Sequence, residues 1–134
     1  MRNVALAAVT GLLVAAGSLA AAPVARADHC NPFEGCWGAI AASPSNGETQ
    51  LTTNARSQND AENDAVLWCD VQGKVNDCQV VVSGMGCLSI AKSSDGTAYA
   101  GRGAPSQDAA DSAALAGVGP DGTIDLHGCS GFSS

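Results

Sequence analysis

Basic residues are scarce in this chain. Beyond residue 27 there are only Arg56, Lys74, Lys92 and Arg102, whereas all 13 acidic residues lie in that part, so the formal charge of −7 becomes −9 once Arg2 and Arg26 are set aside. A field of that sign repels polyanions, which argues against nucleic acid and anionic membrane surfaces as partners, because phosphate neutralisation supplies most of such affinity. Aromatic residues are equally few: Phe33, Trp37, Trp68, Tyr99 and Phe132 make a thin core for a chain of this size. Close C-x-x-C pairs are absent, five residues separate Cys30 from Cys36, and His29 and His127 stand at opposite ends, which excludes the usual zinc spacings. There is no G-x-S-x-G elbow, Walker pattern, dinucleotide fingerprint or zinc-protease helix, and Asp95-Gly96 and Asp121-Gly122 lack the repeated oxygens of a calcium loop. Nothing in the pattern calls for a cofactor or a metal.

What is present starts with an export signal. Arg2 gives a basic start, Val4 to Ala22 is apolar, and Ala25-Arg26-Ala27 is an A-x-A cleavage site, so residues 1–27 read as a secretory signal peptide. No small-residue box stands directly before Cys30, which speaks against a lipid anchor. Removal of 27 of the 134 residues leaves enough chain for one domain and too little for two. Residues 28–36 form a cysteine-containing N-terminal segment and residues 37–134 a single domain. All six cysteines, Cys30, Cys36, Cys69, Cys78, Cys87 and Cys129, lie in the exported part, where an even set implies a disulfide framework. Spacing alone leaves all fifteen pairings open.

The sequence repeats itself loosely. Trp37-Gly38-Ala39-Ile40-Ala41-Ala42-Ser43 returns as Cys87-Leu88-Ser89-Ile90-Ala91-Lys92-Ser93, each followed by a turn signal, Ser45-Asn46-Gly47 or Ser94-Asp95-Gly96, and a second strand-like segment. Ser57-Gln58 and Ser106-Gln107 then open two Ala-rich helices with Ser at the N-cap and acidic residues early, where the helix dipole favours them. Ala61, Ala65 and Cys69 share a stripe on the first helix, and Ala110, Ala113, Ala114 and Leu115 on the second, so both helices should lie close to a sheet. Asp108 and Asp111 are expected to face water. Cys78 to Val82 is β-branched, as a buried strand would be, and Thr123 to His127 alternates as a half-exposed one. Each half therefore reads strand, strand, helix, strand. The fold class is α+β, two pseudo-repeated units forming an antiparallel sheet covered by two helices and braced by disulfides.

Candidate catalytic groups are weak. The acidic residues read as helix-start charges and a solvated face. His127 would act with Asp125 or the terminus, yet a lone histidine on a strand is more often a surface residue. Ser83-Gly84-Met85-Gly86 reads as a tight Gly-rich turn before a cysteine. No catalytic, cofactor or metal residues are assigned.

The phrases Trp37-Gly38-Ala39-Ile40-Ala41, the Ser-led helix ending at Cys69, Asp77-Cys78-Gln79-Val80-Val81-Val82, Gly86-Cys87 and Ile90-Ala91 resemble the domain of unknown function 4189 family of small exported, mainly actinobacterial proteins. The resemblance runs from about Trp37 to Cys129 and implies a fold and a secreted or envelope location, without catalytic residues. Leu88-Ser89-Ile90 departs from the family's Gly-Ala pair, which should alter packing rather than chemistry. The second helix ends without a cysteine, Thr123 stands where its partner would start the next strand, and Cys30 and Cys36 are an additional pair. Two cysteines missing together from the second half most simply serve one bond, which gives the pairs Cys69–Cys78, Cys87–Cys129 and Cys30–Cys36.

Together these readings describe an acidic secreted module, more a non-enzymatic binder of a host, envelope or competitor protein than an enzyme. The alternatives are a small secreted hydrolase with an unrecognised site, or an inhibitor that inserts a loop such as Ser83 to Gly86. No membrane insertion is expected after signal cleavage. On the chain-entropy account the Cys69 loop stabilises by about 2.5–3 kcal/mol and the Cys87 loop by about 4 kcal/mol, against about 5–15 kcal/mol for a whole small domain. Strong reductant should therefore unfold the protein at room temperature; an unchanged near-UV circular dichroism spectrum after verified reduction would contradict this.

Overall fold

The computed structural model describes Cys30 and residues 35–131. The signal expected over residues 1–27 and much of segment 28–36 lie outside the described residues. Eight elements follow in order: β1 (Trp37–Ala42), β2 (Thr49–Ala55), α1 (Gln58–Gly73), β3 (Gln79–Met85), β4 (Cys87–Lys92), β5 (Tyr99–Ala104), α2 (Gln107–Val118) and β6 (Thr123–Cys129). The repeated α+β plan is thus realised, with its strands divided between two antiparallel three-stranded sheets of order β2-β1-β3 and β5-β4-β6. The sheets lie face to face, and each carries its own helix on the outer side. The result is four layers: α1, first sheet, second sheet, α2.

Alternation along the two central strands dictates this stacking. Ile40 and Ala42 of β1 point inward with Leu88 and Ile90 of β4, joined by Leu51, Val81, Val82 and Leu126, while Ala39 and Ala41 point outward to Ala61, Ala65 and Cys69 of α1. Large branched side chains fill the space between sheets, and alanines let each helix come close. In the second half Ser89 and Ala91 take the outward places, and Ala110 and Ala114 are the buried residues of α2. Ala113 and Leu115, expected in that stripe, are only half-buried.

Each half carries the same irregularity. The β1–β3 register runs from Ile40↔Val82 to Ala41↔Val80, and the β4–β6 register from Ile90↔Leu126 to Ala91↔Ile124, so Val81 and Asp125 are the extra residues of two equivalent bulges. This alignment makes Ser83 the counterpart of His127 and Met85 that of Cys129. It also corrects one expectation: Gln79 corresponds to Thr123, so Cys78 corresponds to Gly122 rather than to Thr123. A Cβ on Gly122 would collide with Val118. Val118 packs over that glycine where the first half places Cys69 beside Cys78.

Several local expectations are revised. The strand read from Cys78 to Val82 as buried is a half-buried edge strand, because β1 takes the centre of the sheet. The turn read over Ser83 to Gly86 is absent: Ser83, Gly84 and Met85 pair with Ala39, Gly38 and Trp37, and only Gly86, at φ +95°, carries the chain from one sheet to the other. A side chain at Gly86 would meet the Ala104 carbonyl oxygen at 3.0 Å. Helix α1 continues a turn past Cys69 and ends at Lys74 in the left-handed conformation. Asp64, one of the acidic residues assigned to a solvated face, is 6 % exposed.

Sulfur bridges join Cys69 to Cys78 and Cys87 to Cys129, at S–S distances of 2.01 and 2.05 Å, and Cys30 to Cys36. The first ties the end of α1 to the start of β3. The second links residues directly opposite each other on β4 and β6. The close helix–sheet fit makes a specific prediction: Ala61→Leu or Ala110→Leu should each destabilise the fold by about 1–3 kcal/mol, measured by urea denaturation of the oxidised protein, because neither site has room for a branched side chain.

Candidate functional site

Each helix starts in the same way. Ser57 and Ser106 cap the helices by accepting hydrogen bonds from the Asp60 and Ala109 backbone amides at 3.1 and 3.2 Å. The next residue, Gln58 or Gln107, reaches one turn along to an acid, donating to Glu62 at 3.2 Å in the first half and to Asp111 at 3.1 Å in the second. The acid then reaches the third strand of its sheet. Glu62 accepts from Ser83, and Asp111 takes Nδ1 of His127 at 3.0 Å. These are equivalent clasps, and they bind each helix start to an edge strand.

The second clasp has acquired different chemistry. Beneath it the outward residue of the central strand is Ser89 instead of Ala39, so serine, aspartate and histidine converge. The order is unsuited to nucleophilic catalysis, which requires the imidazole between hydroxyl and carboxylate. Here Asp111 lies between the other two. Ser89 is fully buried, and its hydroxyl makes no hydrogen bond of good geometry; it stands beside Asp111 as a neighbouring dipole that favours the ionised carboxylate. Burial pushes the Asp111 carboxyl up, but the hydrogen bonds from His127 and Gln107, the Ser89 hydroxyl dipole and the imidazole charge outweigh it, leaving the group below its ordinary value. The change to Ser89 thus affects electrostatics as well as packing.

His127 does not act with Asp125. The bulge sends Asp125 to the other side of the strand, where it accepts from Thr49 Oγ1 at 2.7 Å and pairs with Lys92 at 3.6 Å. Asp111, expected to face water, is held in the clasp, with its side chain 22 % exposed against 48 % for His127.

The opposite end of the molecule holds a cleft. The β1–β2 and β4–β5 turns come together there because both central strands end on the same side, and they enclose about 450 Å³ with Thr49, Lys92 and Tyr99. Each turn is pinned by an aspartate. Asp77 accepts from Ser43 at 2.6 Å and from the Ser45 amide at 3.2 Å, which lowers its pKa. Asp95 accepts from Ser93 at 2.7 Å and from Thr97, and is lowered to about 2. Asn46 ties the first turn to the end of α1 by donating to the Gly73 carbonyl at 2.9 Å, and Lys92 crosses between sheets to donate to the Gly47 carbonyl at 2.9 Å.

Residues 37–126, from the start of β1 into β6, match the family model described as Domain of unknown function (DUF4189). The chain belongs to that family. The match spans both halves of this DUF4189 protein and excludes the Cys30–Cys36 bridge and Cys129. No curated protein and no solved structure matches the chain. Among the described residues no group of three or more histidine, cysteine, aspartate or glutamate side chains is placed to hold a metal ion, and no helix is long and apolar enough to cross a membrane.

The clasps and the cleft were not identified from the sequence, although the repeated Ser-Gln with an acid four residues after the Gln was a legible signal for the clasps. Because the Asp111 pKa is lowered on folding, its contribution is present above its unfolded pKa and is lost as pH falls through the lower folded value. Asp111→Asn should cost about 1–2 kcal/mol at pH 7 and flatten the acid limb of the stability curve below about pH 4, read by denaturation at a series of pH values.

Proposed function

We propose that this DUF4189 protein is an exported, disulfide-braced binding module without a catalytic role, whose partner is a protein of the host, the envelope or a competitor. The observation that carries the reading is the arrangement at residues 89, 111 and 127: among the described residues, the serine placed with a histidine and an aspartate lies buried on the carboxylate side, so the imidazole has no hydroxyl there to activate. Three bridges in so small a fold fit an oxidising compartment and hold both halves rigid, as a recognition surface requires. Residues 1–27 would be removed on export, leaving residues 28–36 as a tethered lead into the domain that begins at residue 37. The inhibitor variant loses support, since Ser83 to Met85 are paired in a strand and are not free to insert into a partner.

A fluorophosphonate probe for serine hydrolases should leave the oxidised protein unlabelled, before and after Ser89→Ala. Labelling that disappears in Ser89→Ala would replace the binding module with a hydrolase. In parallel, the immobilised oxidised protein should retain a saturable partner from envelope fractions or culture medium, and the fully reduced protein should not.

A further inference from the structure

We infer that the cleft between the two turns binds a neutral saccharide one or two rings in size, with the Tyr99 ring as its platform and the Lys92 ammonium as a hydrogen-bond donor. The inference rests on the binding-module reading and narrows what the partner presents. At about 450 Å³ the cleft falls in the range of small-ligand pockets, about 300–1,000 Å³. Both halves build it, so it exists only in the assembled four-layer fold.

Its chemistry is two-sided. Tyr99, 37 % exposed, is the one aromatic among the exposed large apolar residues of the described chain, and it shares the cleft with the Pro44 ring. The remaining wall is polar but largely committed, which leaves a countable set of free valences. Lys92 has three N–H groups and spends one on the Gly47 carbonyl, while its charge is paired with Asp125 at 3.6 Å, a separation too long for a hydrogen bond. Thr49 and Thr97 donate their hydroxyl protons to Asp125 and Asp95, so their oxygens remain as acceptors. One cationic donor, two hydroxyl acceptors and an aromatic face suit a ligand with an apolar C–H face and a rim of hydroxyls, which is the chemistry of a sugar ring.

Charge selects among sugars. Asp77 and Asp95 hold the turns from behind, and Asp125 already answers the Lys92 charge, so an anionic ligand would enter a field of the wrong sign. The same hydrogen bonds fix both turns before any ligand arrives, which lowers the entropic cost of binding.

The test is a titration of the oxidised, isotopically labelled protein with glucose, N-acetylglucosamine, mannose, cellobiose, chitobiose and trehalose, and separately with glucuronate, each to about 50 mM, followed by amide chemical shifts; a Kd near 1 mM corresponds to about −4 kcal/mol. At least one neutral sugar should shift residues 43–49 and 92–99 saturably. Tyr99→Ala should weaken binding about tenfold or more, with Tyr99→Phe close to wild type and both variants keeping the wild-type spectrum elsewhere. Three results would overturn the proposal: no saturable shift in the cleft with any neutral sugar, binding unaffected by Tyr99→Ala, or binding by glucuronate alone. If the cleft fails while the partner capture described above succeeds, the binding module stands with a different surface; probe labelling at Ser89 would remove both.

Discussion

The structure depends on the face-to-face contact of two sheets through Ile40, Leu88 and Ile90. These are the largest fully buried side chains of the described chain. With so few aromatics, they and their neighbours Leu51, Val81, Val82 and Leu126 are the main bulky apolar material available for burial. Placing them between the sheets leaves mainly alanine, serine and cysteine for the buried outer faces, with Trp37, Val66 and Val75 at the margin of the first. The helices must then approach closely, and the layers on either side of the central contact are thin. Covalent bridges compensate at both outer layers, at Cys69–Cys78 beside α1 and at Cys87–Cys129 opposite the start of α2.

Duplication offers an internal control on what each residue does. Where one half has a disulfide, the other has apolar residues in the same place: Val118 over Gly122 answers Cys69 with Cys78, and Trp37 opposite Met85 in the strand register answers Cys87 with Cys129. The fold thus tolerates either kind of fastening at equivalent points. The helix-start clasps behave in the same way. Gln58, Glu62 and Ser83 form a closed polar set over Ala39, while the corresponding Gln107 and His127 both bond Asp111 over Ser89 without bonding each other. A constellation that resembles catalytic machinery by composition is therefore explained by a mechanical role that its twin performs without histidine.

Much of the fold was legible locally. The two N-cap serines, the alanine stripes, the turn signals and the repeat placed all eight elements close to their observed bounds, because caps, turns and periodicity are properties of a few adjacent residues. The valine run at Val80 to Val82 misled as to burial. Its side chains are sheltered on one face by the second sheet, and the strand still lies at an edge, since strand order is set by long-range pairing that residue type does not encode. Asp64 and Asp111 misled for a related reason: a carboxylate reads as solvated until a neighbouring element supplies its partners, and the partners of Asp111 stand on β6 and one helical turn back.

By itself the sequence determined that this is a small acidic α+β chain of two similar halves, rich in cysteine and poor in aromatics, with helix starts at Ser57 and Ser106. Only the tertiary structure decided that the strands divide into two sheets, that a bulge at Asp125 separates it from His127, and that turns some fifty residues apart close over one cleft. Local patterns record hydrogen bonding and periodicity within a segment. Which face meets which is decided by the collective need to bury a small stock of large side chains, and that need is satisfied only when the whole chain has packed.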